Sequence, residues 1–409
     1  MNRLGRLGLL IGPALVLLVA ALTPASAMYP DQGDVGLYLQ KAHAVVTGLL
    51  PYRDVPFEYP PAALIPMVVP YLAGFAPDLG FDAYRVLFAA WEAALLLGLG
   101  FVVERIGVHI GNRWAVARLI VVVVGAILAI TWRYDLFPSV LVMVALWAAI
   151  ERRPMLVGLA LGLGVLAKLY PVALLPALAL PWLRPFDPGR LVRLGATFGL
   201  TILAGLAPFY LLAGDNAFGF MSYQVGRGLQ IESIGGGLAV LAGLIGGDAP
   251  RLSFGFSAVQ VEGQLATALL GILPIVTVIG FGLLAWFGWT RVQDEARAVR
   301  SDDDGSVRPE TLVTLTFASL LLLLVTSKVY SIQYVVWIVP FVALLRGWQF
   351  WLGVAVVALT MPIHPLLYSD LVQQQALPIL VLNLRNALVV ALLGWLLVSL
   401  RPSRPIALR

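Results

Sequence analysis

The chain has 409 residues, of which 60% are hydrophobic and only 12% are charged, and its mean hydropathy is +0.91. Soluble domains carry about 25% charged residues, so this composition excludes an ordinary soluble protein. The net charge of +5 is spread over short arginine-bearing loops, which argues against a nucleic-acid-binding patch. The chain has no cysteine, which excludes disulfides and thiolate chemistry.

Apolar runs recur along the whole chain, and each is long enough to cross a hydrocarbon core about 30 Å thick. The sequence therefore predicts an all-α polytopic membrane protein with a single transmembrane domain over residues 1–409. About twelve spans are predicted. After a first helix within 7–27 they lie at 83–103, 115–132, 138–150, 155–167, 171–183, 194–213, 263–290, 311–326, 333–346, 348–363 and 379–400.

The first apolar segment, 7–27, follows two arginines and ends in Ala-Ser-Ala at 25–27, a pattern typical of a signal-peptidase site. It is either a cleaved signal peptide or a retained first helix. The retained helix is preferred because the loops between the later spans then alternate consistently between the two sides of the membrane. Under both interpretations residues 28–61 emerge on the extracytoplasmic side.

Residues 62–76 are apolar but short, and Pro66 and Pro70 interrupt them. If they crossed the membrane, the arginine-rich loops that follow would lie outside, against the positive-inside bias. They are therefore predicted as a juxtamembrane or re-entrant element of a first extracytoplasmic loop, 28–82.

The same bias predicts a multi-pass plasma-membrane protein with both termini in the cytoplasm. Residues 214–262 then form a second large extracytoplasmic loop. Residues 291–310, which mix arginines with three consecutive aspartates, form a solvated cytoplasmic linker without chemistry.

Four carboxylates fall in the polar interval 31–61 of the first loop. They are Asp31, Asp34, Asp54 and Glu58. Carboxylates beside a membrane are costly unless they meet water, a metal or a substrate. From the residues alone, Asp34 is equally a helix N-cap and a catalytic base. Asp31 and Asp34 leave room for a divalent cation without demanding one, and the three histidines are too scattered to build a metal cluster.

Isolated cations and polar residues also collect on the predicted outer side, where topology does not favour positive charge. They are Arg133, Asp135, Lys168, Tyr170, Arg227, Glu232, Lys328, Gln333, Tyr334 and His364. A membrane-embedded anion such as a lipid phosphate would account for the cations. Simpler interpretations stand beside this one. Lys168 could extend to headgroups, and Arg133 could pair locally with Asp135. Arg227 could lie in an ordinary flexible loop, and Tyr334 could belong to an interfacial aromatic belt.

The first-loop motifs resemble those of glycosyltransferase family 87. They are Gly33-Asp34-Val-Gly-Leu-Tyr38, Pro51-Tyr-Arg-Asp54 and Phe57-Glu-Tyr-Pro-Pro61. Three later motifs resemble the family's in their order along the chain and in their predicted side of the membrane. They are Arg133 to Pro138, Lys168 to Pro171 and Ser331 to Pro340. The family comprises C-type membrane glycosyltransferases, mostly mannosyltransferases that use polyprenyl-phosphate mannose.

The resemblance implies a bundle of about a dozen helices with an outer cavity roofed by the first loop. An acidic residue of that loop acts as general base, which matches Asp34, with Asp31 as partner or alternative. The donor phosphate would then meet Arg133, Lys168, Arg227 and Lys328. The expected substrate contacts are Asp54, Glu58, Tyr59, Asp135, Tyr170, Glu232, Gln333, Tyr334 and His364. No cofactor is required.

The expected activity is inverting transfer of a sugar, most simply mannose, from a polyprenyl-phosphate donor to a lipid-linked glycan or glycoprotein, giving an α-linkage. Arabinofuranose or glucose is the nearest variant. A transporter or lipid flippase is the alternative from another class, and a non-catalytic assembly subunit is the third. Polar residues gathered at one face favour one-sided surface chemistry over transport.

Overall fold

The computed structural model describes residues 8, 10–22, 33–76, 78–246, 248–298 and 307–401. Asp31 and the Ala-Ser-Ala segment at 25–27 lie outside these residues, and the interpretations made for them stay predictions.

The N-terminal part forms a helix followed by the elements of the first loop. These are α1 (Ile11–Leu22), α2 (Gly33–Val46), α3 (Leu64–Ala73) and the long α4 (Phe81–His109). Helix α3 follows a short 3-10 turn, Pro61–Ala63, and its ten residues cannot span a hydrocarbon core about 30 Å thick at about 1.5 Å per residue.

Helix α2 is amphipathic, and its apolar stripe fixes where its first turn points. Val35, Tyr38 and Ala42 are buried at helical spacing. They pack in one cluster with Met67 of α3 and Phe88 of α4. Gly33, with φ of +53°, and Asp34 form the start of this helix, so the packing holds Asp34 at the edge of the bundle.

The central bundle follows in short pieces. They are α5 (Ala115–Gly125), α6 (Ile127–Trp132), α7 (Leu136–Ile150), α8 (Pro154–Ala167), a 3-10 turn (Tyr170–Leu174), α9 (Leu175–Leu183) and α10 (Pro188–Ala213). Two predicted spans are therefore broken: 115–132 at Ala126, and 171–183 between its 3-10 turn and α9.

The interval 214–262, predicted as a loop, contains regular structure. After a 3-10 turn (Gly214–Phe218) come α11 (Gly219–Gly226), β1 (Leu229–Gln230), α12 (Ile234–Gly246), β2 (Arg251–Gly255) and β3 (Ala258–Glu262). The strands form an antiparallel sheet of order β1-β3-β2. The glycines of α12 permit close packing, since a Cβ on Gly236 would clash with the carbonyl oxygen of Gln230.

The C-terminal part completes the bundle. It comprises α13 (Gln264–Ala298), α14 (Pro309–Thr326), a 3-10 turn (Ile332–Tyr334), α15 (Val335–Leu344), α16 (Gly347–Ile363), α17 (Tyr368–Val372) and α18 (Ala376–Ser399). The predicted linker 291–310 is too long, because α13 continues to Ala298. Buried Glu295 accepts hydrogen bonds from Arg291 and Thr311 and so ties α13 to α14.

Within the described part of the chain, five helical stretches are long and apolar enough to cross a membrane by length and composition. They are Phe81–His109, Pro188–Gly226, Gln264–Arg297, Pro309–Thr326 and Ala376–Ser399. Further apolar helices in this part of the chain have 10–17 residues. The chain is a multi-pass, all-α membrane protein.

Helix α8 packs closely on α10 through glycines. A Cβ on Gly158 would lie 2.5 Å from the carbonyl oxygen of Leu194, and one on Gly162 would lie 2.9 Å from Thr201. Small residues four apart let two helix backbones approach within a membrane. This contact holds α10, whose surface is otherwise mostly exposed, against the bundle.

We expect Gly158→Ala to lower the unfolding temperature of the detergent-purified protein. The added methyl group meets backbone, so the helices must separate at a cost of about 1–3 kcal/mol. Gly199→Ala on α10 is the matched control, because a Cβ there meets nothing within 4 Å and alanine favours a helix. An unchanged unfolding temperature for Gly158→Ala would contradict this packing.

Candidate functional site

A cavity of about 480 Å³ lies where the first loop meets the ends of the central helices and the sheet. Ten of the residues selected from the sequence line it: Asp34, Glu58, Tyr59, Arg133, Lys168, Tyr170, Arg227, Lys328, Gln333 and Tyr334. These residues come from segments as far apart in the sequence as Asp34 and Tyr334, and the fold brings them to one site.

Asp34 stands at the start of α2 and forms an ion pair across the cavity wall. Its Oδ2 lies 2.8 Å from Nη1 of Arg133, and the hydroxyl of Tyr38 donates to the same oxygen at 3.4 Å. The Asp34 side chain remains 31% exposed. A carboxylate so placed is held in orientation and is still accessible to a ligand.

Arg133 connects the first loop to the motif at Ser331 to Pro340. It follows the last residue of α6, and its Nε donates to Oε1 of Gln333 at 3.2 Å. The guanidinium therefore bridges Asp34 and Gln333 with two of its nitrogens. The local Arg133–Asp135 pair considered from the sequence is replaced by these longer-range contacts.

Lys168 lies in a cage built on a buried carboxylate. Its Nζ is 2.6 Å from Oδ1 of Asp135, whose side chain has no exposed surface. Nε1 of Trp337 donates to the same oxygen at 2.5 Å. The ammonium also lies 5.0 to 5.6 Å from the ring centres of Tyr134, Tyr334 and Trp337. These contacts are favourable for a cation removed from water.

Asp135 was predicted to contact substrate, but it does not line the cavity. It lies behind Lys168 and aims that side chain, because a buried carboxylate needs its cation and its donor. The aromatic rings beside Lys168 are also fixed in position. The ring of Trp337 stacks between the ring of Tyr170, 4.0 Å away between centroids, and the ring of Tyr334, 3.8 Å away.

Lys328 makes contacts that the sequence did not indicate. Its ammonium donates to the carbonyl oxygens of Val225 at 2.8 Å and Arg227 at 2.6 Å. Burial, followed by the positive charge of Arg227, lowers the pKa of Lys328. Two of its three N–H donors therefore hold the backbone that carries Arg227, whose guanidinium lies over the ring of Tyr223.

Glu58 and Tyr59 form the first-loop side of the cavity. Glu58 lies 3.8 Å from Nζ of Lys41, and Lys41 also donates to the carbonyl oxygen of Pro56. The hydroxyl of Tyr52 donates to the carbonyl oxygen of Tyr59 at 2.6 Å. The loop is thus braced by its own side chains.

Three other residues selected from the sequence do not line the cavity. Asp54 accepts hydrogen bonds from Arg53 and from the backbone of Leu50, and these bonds lower its pKa. His364 lies against the ring of Tyr368. Glu232 is buried behind the residues that line the cavity.

Glu232 belongs to a buried network behind the cavity. Nε2 of Gln230 donates to Oε2 of Glu232 at 2.6 Å and to Oγ of Ser331 at 3.0 Å. Nη2 of Arg385, from α18, donates to the carbonyl oxygen of Glu232 at 2.7 Å. Burial raises the pKa of Glu232 to about 7, although the positive charges of Arg385, Arg133 and Arg227 oppose this. The network supports the loop before α15, and Glu232 itself does not line the cavity.

Several residues of the site were absent from the sequence-based selection. They are Tyr38, Tyr134, Tyr223, Phe256 and Trp337. Tyr38 lies four residues after Asp34 and Trp337 three after Tyr334, so helical spacing could have identified both. Phe256 reaches the cavity on the turn of the β2–β3 hairpin, which the sequence did not predict.

Among the residues that the structure describes, no group of three or more His, Asp or Glu side chains could hold a metal ion. The expectation that the chain needs no cofactor stays a prediction.

No protein-family model matches the chain, and no curated protein matches its sequence. Among solved structures it is similar to ArnT from Cupriavidus metallidurans in the apo state. The likeness covers 97% of this chain and 78% of ArnT, with a TM-score of 0.50 and 16% sequence identity. At this identity the likeness shows the fold alone. It confirms the predicted class, a polytopic all-α membrane protein of the C-type glycosyltransferase fold. Membership of glycosyltransferase family 87 stays a prediction.

We expect Asp135→Asn to destabilise the protein by about 3–5 kcal/mol, because it leaves the caged ammonium of Lys168 without a countercharge. Thermal unfolding in detergent measures the change. Asp294→Asn is the control: Asp294 also pairs with a cation, Arg297, but the Arg297 side chain is 75% exposed, and such pairs contribute little. Equal losses in the two variants would contradict the structural role of Asp135.

The raised pKa of Glu232 predicts a pH dependence of stability. Between the ordinary pKa of 4.5 and about 7, the native state binds more protons than the unfolded state, so stability falls as pH rises through this range and then levels off. The full difference is on the order of 3 kcal/mol. Glu232→Gln should flatten the profile of unfolding temperature between pH 4.5 and 7, whereas Glu262→Gln, an exposed neighbour on β3, should leave it unchanged.

Proposed function

We propose that the chain is an inverting glycosyltransferase that moves a sugar from a polyprenyl-phosphate donor to a lipid-linked glycan or glycoprotein on the extracytoplasmic face. The observation that carries the proposal is the arrangement of Asp34, an accessible carboxylate paired with Arg133, together with the cations Lys168 and Arg227 around a single cavity. The shared fold is compatible with this chemistry but does not establish it.

The cations suit a phosphate leaving group. Arg133 and Arg227 present guanidinium groups, which match phosphate geometry, and Lys168 adds a point charge in a partly desolvated aromatic cage. As the bond between the anomeric carbon and the phosphate oxygen breaks, negative charge grows on the phosphate, and fixed cations stabilise it. The lipid phosphate leaves with the bonding electron pair.

Asp34 suits the role of general base. Its carboxylate takes the proton of the acceptor hydroxyl while that oxygen attacks the anomeric carbon from the face opposite the phosphate. A single displacement inverts configuration, so a β-linked donor gives an α-linked product. Asp31 lies outside the described residues and remains the alternative base.

Apolar residues on one flank of the cavity suit a lipid-linked donor. Leu169, Val172 and Ala173 lie beside Lys168 in sequence, and Leu323 and Leu324 come from the end of α14. A prenyl chain could lie against this flank while its phosphate meets the cations. Mannose as the sugar rests on the first-loop resemblance.

We expect Asp34→Asn to lower the rate of sugar transfer by about 100- to 10,000-fold, because the amide cannot accept the proton. The assay uses purified protein in detergent, polyprenyl-phosphate mannose and a panel of mannosylated lipid acceptors, with and without a chelator. Size-exclusion profile and unfolding temperature report whether the variant remains folded.

Asp78→Asn is the matched control, since Asp78 is an exposed first-loop carboxylate outside the cavity lining. It should transfer at the wild-type rate. Equal transfer by Asp34→Asn and wild type would remove Asp34 as the base and leave the enzyme class standing. A wild type that neither transfers mannose nor binds the donor would overturn the proposed function.

A further inference from the structure

The β2–β3 hairpin places an unusual two-residue turn at the cavity. Gly255 pairs with Ala258, and the turn between them consists of Phe256 and Ser257, which have φ values of +52° and +55°. Tight hairpin turns of this kind favour Asn-Gly, because larger side chains are disfavoured at positive φ. Both turn residues line the same cavity as Asp34 and Arg227.

The ring of Phe256 is held by specific contacts while it stays accessible. It packs edge-to-face on Tyr223, with ring centroids 5.3 Å apart. A Cβ on Gly226 would lie 2.8 Å from Cζ of Phe256, so the ring rests directly on the glycine. Even so, Phe256 is 40% exposed. An aromatic ring that packs against the protein on one side and is exposed on the other offers a preorganised surface on which a ligand can stack.

One side chain connects this hairpin to the cationic side of the site. Nε2 of Gln260 donates to the carbonyl oxygen of Gly255 at 2.8 Å, and Oε1 of Gln260 accepts from the backbone N–H of Gly228 at 2.7 Å. Gln260 therefore fixes the position of the hairpin tip relative to the segment that carries Arg227. The position of the Phe256 ring relative to the reacting centre is defined by these bonds.

The surroundings of Phe256 are polar, in contrast to the flank formed by Leu323 and Leu324. Tyr223, Gln224, Arg227 and Ser257 all line the cavity near the turn. A mixed surface of aromatic ring, hydroxyl and amide matches a sugar, which has one apolar C–H face and hydroxyls around its edge. A prenyl chain would leave these polar groups without partners.

We propose that Phe256 and Tyr223 form the platform on which the acceptor sugar stacks, making Phe256 a specificity-determining residue. This inference rests on the proposed glycosyltransferase function and deepens it, because it places the sugar of the acceptor on the hairpin side of the cavity. The platform binds and orients the acceptor hydroxyl toward Asp34 and takes no part in proton transfer.

The test measures KM separately for donor and acceptor, with polyprenyl-phosphate mannose and the mannosylated lipid acceptor that the wild type uses fastest. Phe256→Ala should raise the acceptor KM about tenfold and leave the donor KM unchanged. Phe256→Tyr, which keeps the ring, should retain the wild-type acceptor KM. Gly226→Ala should raise it as well, because the new methyl group displaces the ring.

Phe254→Ala is the control for damage to the hairpin. Phe254 lies on β2, is 79% exposed and does not line the cavity, so its loss should change neither KM. An unchanged acceptor KM in an active Phe256→Ala variant would overturn the platform while the proposed function stands. A raised donor KM would overturn it too, since the ring would then contact the donor. A wild type that transfers to no acceptor and binds no donor would overturn both proposals.

Discussion

The buried ion pair between Asp135 and Lys168 is the constraint on which the site depends. The Asp135 carboxylate has no exposed surface and lies 2.6 Å from the Lys168 ammonium. Breaking such a buried ion pair is costly, and the pair is stable only in a well-defined geometry. Trp337 donates to the same carboxylate, and Tyr170 and Tyr334 stack on Trp337. The cavity floor is therefore one connected unit, and it joins the turn after α6, the turn after α8 and the start of α15.

A second set of bonds fixes the polar loops around the cavity. Arg133 links Asp34 to Gln333, and Lys328 holds the backbone at Arg227. Each of these cations contacts protein groups and also lines the cavity. Their positive charge is thus fixed before any ligand arrives, which is the preorganisation that electrostatic catalysis requires.

The sequence was most informative where polarity interrupts an apolar run. Asp34, Arg133 and Lys168 stand out because a charge beside a membrane demands a reason, and all three line the cavity. The roles of Asp135 and Lys328 could not be predicted, because they depend on partners more than 30 and 100 residues away. From sequence proximity alone, an ion pair between Asp135 and Arg133 was an equally reasonable prediction.

The interval 214–262 was the least predictable part of the fold. The stretch Ile234–Gly246 is apolar but short and rich in glycine, and it becomes helical because its glycines pack closely on Gln230 and α18. The hairpin at Phe256 lacks the Asn-Gly signal of a tight turn, so its strands were hidden in an apparent loop. In both cases tertiary packing overrides a weak local signal.

The two-residue tip of the hairpin also has an evolutionary consequence. It is joined to the cavity by the sheet ladder, by Gln260 and by ring contacts, and among the described residues no hydrogen bond joins it to Asp135 or Lys168. Residues at this tip can be exchanged, or the turn lengthened, without disturbing the buried ion pair. Related chains could therefore diverge in the partner they accept at this turn while the charged floor of the cavity is inherited unchanged.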